Sequence, residues 1–120
     1  EVRMVEKNDV KVAVVTGTEK LLLDVQSALD LMATVQYETE SSRIAIYKES
    51  VAEDFFILST RLAGEVLQKF VNYQWKLAII GDFSKYTSKP LKDFIYESNN
   101  GRDIFFAANE DEAVEKLCRT

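Results

Sequence analysis

The chain has 120 residues, a formal charge of −5, 47% hydrophobic and 29% charged residues, one proline and four glycines; this balance fits one globular domain and excludes disordered and fibrous classes. Net negative charge works against a nucleic-acid backbone or an anionic membrane surface as partner. The absence of histidine excludes Ser-His-Asp, Cys-His and histidine-metal chemistry, and the single Cys118 excludes an internal disulfide or a thiolate zinc site.

Two strand-like runs, VRMVEK and VKVAVVTG, meet at Asn8-Asp9. Both turn residues tolerate left-handed backbone, so the pair predicts a β-hairpin. From about Asp24 to Val35, Val25, Ala28, Leu29 and Met32 recur at spacings of three and four and mark one helix face. The preceding TGTEKLLL reads as loop or helix start. RIAIYK, residues 43 to 48, is too short for a helix and predicts an inner strand. Ser50 with Glu53 three residues later reads as a capping box opening a helix to about Tyr73, with a break near Ser59-Thr60 left open. That helix would bury Phe55, Leu58, Leu62, Val66 and Phe70 or their neighbours, and Gly64 inside it implies close packing against another element.

WKLAIIGDF, residues 75 to 83, is the most apolar strand candidate and predicts a position mid-sheet, covered on both faces. The next helix starts near Ser88 or Pro90 and ends at Asn99-Asn100-Gly101, a sequence suited to a left-handed residue after a helix. DIFFAAN predicts the last strand. Asn109 and Glu112 then cap a final helix carrying Ala113, Val114 and Leu117, whose acidic first turn suits the positive end of the helix dipole. The order β-β-α-β-α-β-α-β-α predicts a single α/β domain over residues 1 to 120. Its sheet is mixed and mostly parallel, of four or five strands, with an N-terminal hairpin and four helices. Val12, Val14, Leu29, Ile44, Ile46, Leu62, Val66, Leu77, Ile79 and Phe105 are the expected core.

In such sheets ligands sit beyond the carboxyl ends of the strands, here in the loops 48 to 54, 81 to 89 and 108 to 111. The 81 to 89 loop is the leading contact candidate. It offers Gly81, Asp82, Phe83, Ser84, Lys85, Tyr86, Thr87 and Lys89, which include hydroxyl donors, two ammonium groups and a stacking ring beside a helix start. It matches neither GxGxxG nor GxxxxGKS. Turn and cap chemistry at Ser88 and Pro90 also explains it, and is the preferred reading. Asp82 is a formal general-base candidate, and Glu49, Glu53 and Asp54 a formal Mg²⁺ cluster; capping by solvated carboxylates is preferred for all four, and no metal or cofactor is expected. Ser59 and Thr60 either bond back to the preceding turn or form a phosphorylation switch at a displayed helix start.

The stretches LAGEVLQKFVNY, KLAIIGDFSKYTSKPLKDFIYESNNG and IFFAANEDEAVEKL resemble a bacterial family catalogued as domain of unknown function 4180, over nearly the whole chain. The family implies an identity and no mechanism. The run RIAIYK, FFILSTRLAGEVLQKF, KLAIIGDF and IFFAANEDEAVEKL also resembles the order of the STAS domain of anti-sigma-factor antagonists. Those proteins bind partner proteins and are switched by phosphorylation at the start of their second helix. The STAS Asp-Ser-Ser/Thr-Gly motif is absent, because Leu58 precedes and Arg61 follows Ser59-Thr60.

These readings lead to a non-enzymatic, STAS-like protein-binding or regulatory module with an unidentified protein partner. Second comes a small-ligand or anion binder using the 81 to 89 loop; an enzyme with a carboxylate or lysine catalyst ranks third. With no signal-like start, no apolar run of membrane-spanning length and one cysteine, the expected setting is cytoplasmic. The sequence leaves the oligomeric state open.

Overall fold

In the computed structural model, which describes residues 1 to 119, Asn8 and Asp9 adopt φ of 54° and 67° and join β1 (Val2–Lys7) to β2 (Val10–Val15) as an antiparallel hairpin. Both angles lie in the left-handed region that a two-residue hairpin turn requires. The chain continues through α1 (Val25–Thr39), β3 (Arg43–Tyr47), α2 (Leu62–Asn72), β4 (Lys76–Ile80), α3 (Lys89–Asn99), β5 (Ile104–Ala107) and α4 (Glu110–Cys118). The strands form one mixed five-stranded sheet in the order β1-β2-β3-β4-β5, parallel from β2 onward, so this is an α/β domain with an N-terminal hairpin.

Side chains alternate across the sheet and sort the helices into two layers. Ala13, Val15, Ile44, Ile46, Leu77, Ile79, Ile104 and Phe106 share one core with Ala28, Met32 and Val35 of α1, Val66 and Phe70 of α2, and Leu91 of α3. The alternate residues Val12, Val14, Ala45, Ala78, Ile80, Phe105 and Ala107 pack against Ala113, Val114 and Leu117 of α4 alone. Three alanines on this face keep the sheet surface low under α4; filling one with a larger side chain would overpack it by about 1–3 kcal/mol. β4 is buried on both faces as expected, its flanks held by β3 and β5.

The helix expected from Ser50 to Tyr73 is instead three single turns, Lys48–Ser50, Glu53–Phe56 and Leu58–Thr60, followed by the shorter α2. Ser50 makes no capping box. It is fully buried, and its hydroxyl donates to the Gly17 carbonyl at 3.1 Å. This segment closes the sheet edge: Val51 bridges to Leu22, and Phe55 and Phe56 bury in the core. Gly64 is exposed, and an added Cβ there would meet nothing within 4 Å, so close packing does not explain it. Leu29 and Leu62 are half-buried flanks; the other expected core residues are buried. α1 is capped by Asp24 and extends past Val35 to Thr39, where Glu40 turns left-handed at φ 59°. α3 ends without a left-handed residue: Asn100 is right-handed helical, and the Asn99 side chain accepts from the Phe106 amide at 2.7 Å, tying the helix end to β5.

Candidate functional site at the carboxyl edge of the sheet

β3 and β4 end side by side, Tyr47 opposite Ile80, and each chain then leaves the sheet. The next residues, Lys48 and Gly81, cross so closely that a Cβ on Gly81 would lie 2.8 Å from the Lys48 Cβ. Glycine at 81 therefore lets Lys48 pass over the loop. The Lys48 ammonium reaches the faces of Phe56 at 5.7 Å and Tyr86 at 5.2 Å from the ring centroids, and Lys85 approaches the same Tyr86 ring at 5.6 Å. Each is within cation–π range.

Aromatic contacts brace the loop. Tyr86 stacks on Phe56 at 5.2 Å; Phe83 lies 5.9 Å from Phe56 and meets Phe106 of β5 edge-on at 5.3 Å. The Tyr86 hydroxyl donates to Glu53 at 2.8 Å, linking the 81 to 86 segment to the turn Glu53–Phe56. Phe83 and Tyr86 are half-buried, whereas Asp82, Ser84, Lys85, Thr87 and Lys89 are exposed. Thus Gly81, Asp82, Phe83, Ser84, Lys85 and Tyr86 gather with Lys48, Glu53 and Phe56. Lys89 pairs with Asp93 on its own helix at 2.7 Å.

Hydrogen bonding makes Asp82 a weaker candidate for a general base. The Asp82 carboxylate accepts from the Ser84 amide at 2.9 Å and hydroxyl at 2.6 Å, which hold it below the usual carboxylate range and make it a poorer base. Burial, then the bond to Glu53, pushes the Tyr86 phenol up to about 12, so it stays a donor at neutral pH. Glu53 engages that phenol, and among the described residues no three acidic, histidine or cysteine side chains gather into a metal cluster. The edge offers contact chemistry: rings, ammonium groups and tethered carboxylates.

A family model described as a domain of unknown function (DUF4180) matches residues 7–117. The chain belongs to this family. The match holds every residue of the braced edge, from Lys48 to Tyr86, within the family domain. No curated protein and no solved structure matches the chain.

Two further features of the chain bear on the site. Ser59 and Thr60 are both exposed on the turn before α2, and the Thr60 hydroxyl donates to the carbonyls of Asp54 and Ile57, each at 2.8 Å. Thr60 thereby ties down the turn that carries Glu53 and Phe56. Beside the 108 to 111 loop, Glu110 accepts two bonds from Arg3, at 2.9 and 3.1 Å, and one from the Tyr47 hydroxyl at 2.8 Å. The Arg3 and then the Tyr47 bonds lower the Glu110 carboxyl; the Glu110 bond, then burial, raises the Tyr47 phenol. Arg43, at the other end of β3, donates to the Leu117 carbonyl at 2.8 Å, so residues of one strand hold both ends of α4. Sequence reading placed Glu110 only in an acidic helix start. Its partner Arg3 lies 107 positions away, and no local spacing signals it.

Proposed function

We propose that this domain is a non-enzymatic binding module, regulatory and STAS-like in type, that docks a protein partner on the carboxyl edge formed by residues 48 to 56 and 81 to 86. The observation that carries the reading is the Lys48–Tyr86–Lys85 stack over Phe56, cross-braced by the bond from Tyr86 to Glu53. A surface of half-buried rings and exposed charges held by its own contacts loses little side-chain entropy on docking, the property that distinguishes an anchor from a mobile lysine patch. The element order supports the STAS-like reading. Ser59 and Thr60 are its switch: a phosphate on Thr60 removes the hydroxyl donor that holds the Asp54 and Ile57 carbonyls, loosening the turn beneath Tyr86. A bacterial, cytoplasmic setting belongs to the same proposal. One cysteine, unable to pair within the chain, supports it.

The test is affinity capture from a bacterial lysate with the parent chain, Lys85→Glu and Tyr86→Ala. The expected result is one protein recovered specifically by the parent and lost with either variant, both variants still melting cooperatively. Recovery unchanged by both variants overturns the proposed surface. A second reading, a small anionic ligand between Lys48 and Lys85, rests on their sharing the Tyr86 ring. It takes over if capture is empty and a phosphate-bearing metabolite raises the parent's melting temperature but not that of Lys85→Glu.

A further inference from the structure

The open edge of β1 belongs to a different part of the molecule. In a two-residue hairpin the residues flanking the turn form a hydrogen-bonded pair, so the register Lys7 opposite Val10 directs the main-chain groups of Arg3, Val5 and Lys7 toward β2. The bonds between Glu1 and Thr16, 2.9 Å from the Thr16 amide and 3.0 Å from the Glu1 amine, continue the same phase. The N–H and C=O groups of Val2, Met4 and Glu6 therefore point away from the sheet. β1 lies at the end of the strand order, pairs with β2 without a bulge and contains no proline, and Met4 at its centre is 46% exposed. Such an edge is a template for another strand.

We propose that the occupant is β1 of a second copy of this chain, added antiparallel about a two-fold axis at Met4, so that the two sheets become continuous. Outward-pointing groups must face one another, which puts the axis on a residue, and an overlap of five or more residues then leaves centres on Arg3, Met4 or Val5. A centre on Arg3 sets two arginines face to face, and a centre on Val5 sets Arg3 opposite Lys7; like charges directly opposite are destabilising. A centre on Met4 opposes Glu1 with Lys7, Val2 with Glu6, Arg3 with Val5 and Met4 with itself. It opposes no like charges and uses the whole strand. Arg3, already committed to Glu110, needs no charge across the seam, whereas Glu1 and Lys7 gain one. The surface is self-complementary in the way a two-fold dimer requires.

Sedimentation of the 120-residue chain from micromolar to near-millimolar concentration tests this. The expected mass rises from 13.7 kDa to twice that value. Met4→Pro removes an outward amide at the axis and no bond to β2, so it is expected to stay monomeric while melting as a folded protein. Lys7→Glu sets two glutamates opposite each other and is expected to weaken the dissociation constant about tenfold; adding Glu1→Lys restores it. Lys85→Glu, on the other edge, leaves the mass unchanged, so this result and the partner test stand or fall separately. A monomer at every concentration, or a dimer indifferent to Met4→Pro and Lys7→Glu, overturns the proposal. Failure of the charge swap to restore a weakened dimer overturns the register. If Met4→Pro does not fold, Lys7→Glu and its swap decide the matter.

Discussion

Gly81→Ala probes whether the carboxyl edge is built around the passage of Lys48. Among the described glycines only Gly17 has a positive φ, so alanine at 81 meets no left-handed backbone, and the stiffer unfolded chain alone would stabilise by about 0.4–1 kcal/mol. Against this, the new Cβ would lie 2.8 Å from the Lys48 Cβ and 3.0 Å from its Cδ. The Lys48 Cβ is not a free end; its backbone follows directly on the pairing of Tyr47 with Ile80. Overpacking of this kind costs about 1–3 kcal/mol. Turning Lys48 aside also forfeits its contacts with Phe56 and Tyr86, worth about 0.5–1 kcal/mol each at exposed sites. The clash and the lost contacts outweigh the entropy gain, leaving a net loss of about 1–4.5 kcal/mol, centred near 3, or roughly 10–15 °C at that centre in a domain of this size. The assay is urea unfolding followed by the fluorescence of Trp75, the single tryptophan, which is buried. A second arm with Lys48→Gly removes the opposing Cβ and should recover much of the loss, giving a coupling of at least about 1 kcal/mol in the double-mutant cycle. A neutral or stabilising Gly81→Ala, or effects that simply add, would refute the close crossing as the feature that places Lys48.

Other substitutions separate structural from functional roles. Gly64→Ala, in the exposed first turn of α2 with nothing within 4 Å of the added Cβ, should stabilise by up to about 0.5–1 kcal/mol, the helix-interior figure, in the same urea assay; destabilisation would show a hidden neighbour. The Asn109 cap bond measures 2.8 Å and the Ser88 cap bond 3.4 Å, so Asn109→Ala should cost about 1 kcal/mol and Ser88→Ala about 0.5 kcal/mol. Reversal of that order would count against the cap geometry. The Tyr86 phenol is raised to about 12 in the folded chain, so the stability that Tyr86→Phe removes is fully present below pH 10 and is lost as pH climbs toward 12. A parent-to-variant gap that stays constant through that range contradicts a phenol raised by burial and by the bond to Glu53. Glu110→Gln has the opposite sign: the folded carboxyl is lowered, so the advantage of the parent holds at neutral pH and disappears as acid protonates Glu110, which melting curves across the acid range would show.

The elements legible in the sequence are those set by local chemistry. Asn8-Asp9 announced the hairpin because few residues tolerate two successive left-handed angles, and KLAII announced a doubly covered strand because none of its central side chains can face water. Residues 50 to 60 misled for a physical reason. Phe55 and Phe56 look like part of a helix face, yet they cover a sheet edge from short turns, and Ser50, three residues before a glutamate, is taken up by the carbonyl of Gly17. The contacts at the carboxyl edge were half legible. The strand ends bring the loops 48 to 54 and 81 to 89 to one edge, but the pairing of Tyr86 with Glu53, Lys48 and Phe56 spans thirty or more positions, with no periodicity to report it. Within the 81 to 89 loop, Lys89 pairs with Asp93 one helical turn on, and Ser88 accepts from the Leu91 amide as the preferred cap reading expected.

The central claim, that the carboxyl edge is the docking surface, is tested most directly by a photo-crosslinking amino acid placed at position 85 in one chain and at position 73 in another, each expressed in bacterial cells. Tyr73 is 58% exposed and lies just before β4, at the opposite end of that strand from Lys85. The account predicts a single crosslinked protein from position 85 that disappears when Tyr86→Ala is added, and none from position 73. Crosslinking from position 73 with none from position 85 would contradict it.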